Sequence, residues 1–270
     1  MPLQPVDGIA IHYEQHSSSA DTSAATILLL HGLGSSTLDW SEQIPALLPV
    51  YDVLVVDLRG HGQSDKPTGP YSIRQMANDI ARALELSKLH VVGLSMGAQI
   101  ALQLALDHPD IVATVTAVNS PADMKPRRVR DKLAVMQRKL LVRLLGMRLV
   151  GQVIAGRLLP GDEFAERRQL FANRWADNDP ASYRASLNAI LDWDITPELS
   201  HISQAILVIA ASDDYTPLAW KQRIVELAPN ALMVVIENSR HAIPVERPQA
   251  FNAALLEFLS RNSRLTAPHL

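Results

Sequence analysis

The 270-residue chain contains no cysteine. Disulfides, thiolate nucleophiles and cysteine-ligated metals are therefore excluded, and the composition suits a reducing, cytoplasmic setting. Aromatic residues are scarce at 5 %, and a basic excess is missing: 25 Lys and Arg stand against 28 Asp and Glu, a formal charge of −3. Nucleic-acid-binding domains usually carry excess positive charge, so nucleic acid is not expected as a partner. No apolar run approaches the ~18 to 20 residues that span a bilayer, so no integral membrane segment is expected. The start, Met1-Pro2-Leu3-Gln4-Pro5-Val6-Asp7, lacks a basic stretch followed by an apolar core, so no signal peptide is expected. What the chain does have is 47 % apolar residues, far too many for disorder. At this length, one large α/β domain with an insertion is as natural as two domains.

Short continuous apolar runs alternate with amphipathic ones. Strands are expected at residues 9–13, 25–30, 51–58, 90–94, 111–118, 205–210 and 232–236. Runs without polar alternation belong in strands buried on both faces, as in a parallel sheet. Helices are expected at 72–86, where Ser72 and Gln75 have capping-box spacing, at 96–107, and at about 217–227 and 248–260. The tail, 261–270, reads as polar and loose. Between Pro121 and about Trp193 the rhythm changes to several helices, with breaks expected at Gly146, Gly151, Pro160-Gly161 and Pro180. The expected architecture is α/β: a doubly wound, mostly parallel sheet from residues 1–120 and 194–270, with a helical lid inserted over 121–193. Within that lid, residues 125–148 hold nine bases and only Asp131 as an acid. Solvated helices are the plain reading; an anionic ligand, an acidic partner or a membrane surface are the alternatives.

Gly93-Leu94-Ser95-Met96-Gly97 is a G-x-S-x-G segment between an expected strand and an expected helix. A serine on so sharp a turn has strained backbone geometry, and small flanking residues let strand and helix approach. A serine nucleophile needs a base, and the base needs a carboxylate to fix its tautomer. The chain order for this arrangement is Ser, then Asp or Glu, then His. Of nine histidines only His201, His241 and His269 follow the central region. His201 precedes the strand of the candidate acid and His269 lies in the tail, which leaves His241. Asp213 and Asp214 both follow the strand at 205–210, and a period of two prevents both from facing His241. Asp214 is preferred; the other would cap the next helix or face water. His31-Gly32-Leu33-Gly34 follows another strand, so the N–H groups of Leu33 and Met96 are candidate oxyanion donors. No cofactor or metal is expected, since there is no His-x-x-x-His pair, dinucleotide fingerprint or phosphate loop.

These segments, with Asp57-Leu58-Arg59-Gly60-His61-Gly62-Gln63-Ser64-Asp65 and Ser239-Arg240-His241-Ala242-Ile243-Pro244, resemble the α/β-hydrolase superfamily. The likeness is to its lid-bearing serine esterases and lactonases, including 3-oxoadipate enol-lactonases, over residues 9–121 and 193–260. Ala98 and Ala211 depart from glycines common in the family, while Asp214 to Pro217 resembles its Asp-Tyr-Thr-Pro variant and favours Asp214. The resemblance implies that the Asp57 segment shapes a loop outside the triad. It also implies a serine hydrolase of carboxylic esters, acting through an acyl-enzyme on a small-molecule ester or lactone. Lactonase, carbon–carbon bond hydrolase, acyltransferase and perhydrolase chemistry use the same parts, and a small-molecule receptor on this fold is the non-enzymatic alternative. Ser95 excludes the aspartate-nucleophile chemistry of related dehalogenases and epoxide hydrolases. Leu140, Leu141, Leu144, Leu145, Phe171 and Trp175 are expected to line an acyl pocket or to form the lid's core. Homo-oligomerisation is left open.

Overall fold

The computed structural model describes residues 3–18, 24–84 and 88–262. Eight strands form one sheet: β1 (Leu3–Val6), β2 (Ile9–His16), β3 (Thr26–Leu30), β4 (Asp52–Val56), β5 (Leu89–Leu94), β6 (Val112–Val118), β7 (Ala205–Ala211) and β8 (Ala231–Ile236). Their spatial order is β1-β2-β4-β3-β5-β6-β7-β8. The first two strands join antiparallel, and all pairs from β4 to β8 are parallel. β1 was not expected, because Leu3-Gln4-Pro5-Val6 carries no apolar run; pairing with β2 creates it.

Neighbouring residues of the central strands enter different cores. Leu28 and Leu30 of β3 join the apolar layer on one face, whereas Ile27 and Leu29 join the layer on the other. Both faces are covered, which is why these strands show no polar alternation. The first face holds α2 (Ile73–Ala83), α3 (Met96–Asp107) and α7 (Leu218–Leu227). The second holds α1 (Ile44–Leu47) and α9 (Pro248–Asn262), and the short α8 (Ile243–Glu246) precedes α9. Ser72 caps α2 through Gln75 N at 3.0 Å. The helix, expected to reach residue 86, ends at Ala83, and Leu84 is already extended with φ −113° and ψ 102°. Arg261 and Asn262, assigned to a loose tail by sequence, continue α9; the rest of that tail also lies outside.

Three helices stand between β6 and β7: α4 (Val129–Leu158), α5 (Ala165–Ala176) and α6 (Pro180–Asp192). α4 is interrupted at Gly146, whose φ of 73° leaves the helical region. No break occurs at Gly151. A Cβ there would come within 2.6 Å of Trp175 Cβ, so this glycine serves the close approach of α5 and does not end a helix. α5 is tied to the sheet by Arg174, 2.6 Å from the buried Asp39, and Asn178, just beyond it, donates to Gly34 O at 2.8 Å. No helix among the described residues is long and apolar enough to cross a membrane.

The strand order itself places the site. From β3 the chain moves to one side to form β4, then crosses back to form β5 on the other side. Crevices outside the carboxyl ends of strands at such a switch point are the usual ligand sites of open α/β sheets. The segment 31–34 leaves β3 there, beside Ser95, which leaves β5.

Candidate active site

Ser95 has φ 55° and ψ −109° and separates β5 from α3. Two glycines make so abrupt a turn fit. A Cβ on Gly93 would lie 2.2 Å from Gly97 C, and one on Gly97 would lie 2.1 Å from Leu30 O. These neighbours are backbone atoms, so neither can move aside. Ser95 N donates to Val118 O at 2.8 Å, anchoring the turn to β6. Gly32 lies alongside, since a Cβ built on it would stand 3.6 Å from Ser95 Cβ. His31 fixes that approach: its Nε2 accepts from Leu58 N at 3.0 Å, so Nδ1 carries the proton and donates to Gly32 O at 2.7 Å. Burial lowers the His31 pKa and keeps the ring in this neutral form.

His241 follows β8 and Asp214 follows β7. Asp214 Oδ1 accepts from His241 Nδ1 at 2.8 Å, and Asp214 is wholly buried. Asn119, at the end of β6 with φ 48°, ties the two loops together. Its amide donates to His241 O at 2.9 Å and its carbonyl accepts from Ala211 N at 2.8 Å. Asp213 is exposed and accepts from the Ser212 hydroxyl at 3.3 Å, so the carboxylate that holds the imidazole is that of Asp214. Asp57 is engaged elsewhere: it accepts from Thr37 N and Gln63 N at 2.8 Å and meets His12 Nδ1 at 2.9 Å.

Two further residues at this centre were not singled out from the sequence. Lys221 Nζ lies 2.6 Å from Asp214 Oδ2, and neither side chain has any solvent exposure. Thr216 donates to the same oxygen, and Lys221 also donates to Thr216 O at 2.9 Å. Burial alone would raise the Asp214 pKa, but the His241, Lys221 and Thr216 contacts outweigh it and bring it down to about 2. Burial pushes Lys221 down while Asp214 pulls it back up. The available signal was position: Lys221 and Ile224 share the buried face of α7, where an unpaired lysine would be prohibitive.

Tyr215 is the second. Its hydroxyl is 3.0 Å from His241 Nε2, beside the Ser95 side chain. With Nδ1–H given to Asp214, Nε2 is an acceptor, so the phenol donates to it. The ring lies over the imidazole with centroids 4.4 Å apart. Its 64 % exposure is to the cavity, while burial at the hydroxyl and the Asp214 carboxylate raise the phenol's pKa and hold its proton.

Ser95, His241, Gly32 and Leu33 open on a cavity of about 950 Å³ between the sheet and α4 to α6. Leu141, Leu145, Phe171 and Trp175 line it, as the sequence suggested. Leu140 and Leu144 do not: they point away from it and are exposed. Arg138 reaches the cavity and donates to the Tyr183 hydroxyl, at 2.9 Å through Nε. The described residues contain no group of acids and histidines able to hold a metal.

The sequence profile of the α/β hydrolase fold matches residues 25–248. The chain belongs to that family. It is 34 % identical over 271 residues to a Caulobacter vibrioides protein named "Putative carbamate hydrolase RutD", covering 96 % of this chain and 98 % of that one. It is 30 % identical over 260 residues to 3-oxoadipate enol-lactonase 2 of Acinetobacter baylyi, covering 94 % of both. Among solved structures, the enol-lactonase of Burkholderia xenovorans LB400 superposes with a TM-score of 0.87 at 26 % identity, over 96 % of this chain and all of that one. The α/β-hydrolase architecture expected from the sequence is the one observed.

Proposed function

We propose that the chain is a serine hydrolase of carboxylic esters. One observation carries the reading: a serine at positive φ between strand and helix lines the same cavity as a histidine whose far nitrogen is held by a buried carboxylate at 2.8 Å. Ser95 attacks the carbonyl carbon and gives its proton to His241 Nε2. The imidazolium returns it to the leaving alcohol, and Asp214 holds the ring in the necessary tautomer. The N–H groups of Leu33 and Met96 receive the oxyanion; Met96 opens α3, where the first N–H groups have no helical acceptor. Water activated by His241 then releases the acid from Ser95. The apolar walls of the cavity suit an acyl chain, with α4 to α6 acting as the lid. The absence of cysteine supports a cytosolic site of action.

A cyclic ester is the second reading. It needs the same four parts, and the 30 % identity to a protein named 3-oxoadipate enol-lactonase 2 favours it. The test is a panel of p-nitrophenyl esters of graded chain length, simple lactones and an aryl carbamate, run beside Ser95→Ala. Turnover of esters or lactones that falls by up to ~10⁶-fold in the variant supports the reading. Turnover confined to the carbamate would replace the ester, and no Ser95-dependent turnover would leave a receptor.

A further inference from the structure

α4 is apolar on two opposite sides. Its inner side, with Val135, Leu141 and Leu145, lines the cavity. Its outer side carries Leu133, Met136, Leu140 and Leu144, spaced by three and four residues and so aligned on one face. Met136 is 60 % and Leu144 68 % exposed, and none of the four belongs to a buried cluster. At 3.6 residues per turn, Lys132, Lys139 and Arg143 run along one border of this stripe.

The charge is as one-sided as the apolarity. Nine bases and one acid leave +8 within residues 125–148, so the rest of a chain of net −3 carries −11. Lys125, Arg127 and Arg130 have carboxylate partners, and Arg138 is bound to Tyr183. Among the described residues Arg128, Lys132, Lys139, Arg143 and Arg148 have no carboxylate partner. An apolar stripe bordered by free bases is the composition of a helix that lies in a membrane interface. A second copy of the chain is a poor fit, since stripe against stripe would bring these bases together.

We propose that the outer face of α4 adsorbs to an anionic lipid surface, its leucines and methionine in the acyl boundary and its bases among the headgroups. The acidic remainder of the molecule is repelled by the same surface, which fixes the orientation. The cavity then stands one helix diameter, about 10 to 12 Å, from the lipid.

The test is co-sedimentation of the full chain with phosphatidylglycerol–phosphatidylcholine vesicles and with pure phosphatidylcholine vesicles, at about 0.1 M and about 1 M salt. The chain is expected to partition onto the anionic vesicles at low salt, and to leave both the neutral vesicles and the high-salt sample. Each base removed should weaken partition about fivefold, so Lys139→Glu with Arg143→Glu loses well over tenfold. Leu144→Glu should abolish partition, yet leave the melting profile and turnover of a short soluble ester unchanged. Partition is read without turnover, so its result does not depend on the ester reading. Absence of binding to anionic vesicles at low salt would overturn the proposal, as would binding that survives the double charge reversal. So would a wild-type dimer that Leu144→Glu dissociates, which would assign the stripe to a second copy.

Discussion

Lys221 Nζ sits 2.6 Å from Asp214 Oδ2, while Oδ1 of the same carboxylate, on its other side, holds His241 Nδ1 at 2.8 Å. The buried carboxylate is therefore shared between the lysine and the imidazole, which under the proposed mechanism becomes cationic during turnover. Lysine offsets part of the negative charge available to the imidazolium, and it keeps the carboxylate plane from rotating. Lys221→Met removes both effects without changing the bulk greatly. The acid limb of the kcat/KM profile should move to higher pH, because the imidazolium gains an uncompensated carboxylate. Some stability should be lost as well, since breaking a buried pair leaves a charge unpaired at a cost of about 3 to 5 kcal/mol. A reduced melting temperature with an unmoved pH profile would make Lys221 structural only.

The Tyr215 hydroxyl bonds to His241 Nε2 beside the Ser95 side chain. Under the proposed mechanism a leaving-group oxygen takes that position, so the phenol would compete with substrate. Tyr215→Phe removes a hydrogen bond of net worth about 1 kcal/mol and should raise kcat/KM by roughly fivefold. A fall of tenfold or more would contradict this and would show that the proton passes through the phenol.

Acid should weaken the fold in two stages. Burial lowers His31, brings His61 down to about 3 and His90 down to about 4. The unfolded chain therefore takes up protons below about pH 6.5 that the folded chain refuses, and stability falls as pH falls. The slope is ~1.4 kcal/mol per pH unit for each histidine, roughly 4 for the three together. Asp214, depressed to about 2 in the fold, adds a second loss as pH drops from about 4 towards 2. Guanidinium midpoints measured at intervals between about pH 7 and 4 check the first stage; a flat series would contradict the assignment.

Most of the sheet was legible because buried parallel strands carry their own signal. The helix Met96–Asp107 was legible to the residue, with Ser95 at its start and His108-Pro109 at its end. Gly151 misled because glycine signals helix ends and close packing alike, and only the position of Trp175 distinguishes them. Placing Ser95 and His241 as candidates needed only chain order and loop position, while the choice of Asp214 over Asp213 also leaned on the resemblance of Asp214 to Pro217 to a family loop. Lys221 left one signal, its place on the buried face of α7, but its partner and the role of Tyr215 were not legible, because they depend on where α7 and the loop before it fold back. The outward turn of Leu140 and Leu144 was hidden for a similar reason: leucine composition does not say which side of a helix meets a cavity.

Under the proposed mechanism Ser95 is an activated nucleophile. The most direct measurement is exposure to an organophosphate, with the adduct mapped by peptide mass spectrometry in the wild type and in His241→Ala and Asp214→Asn. One adduct is expected, on Ser95, formed far more slowly in both variants; for the aspartate change a loss on the order of 10⁴-fold is the precedent. An unlabelled Ser95 in a folded wild-type protein, or labelling that does not depend on His241, would contradict it.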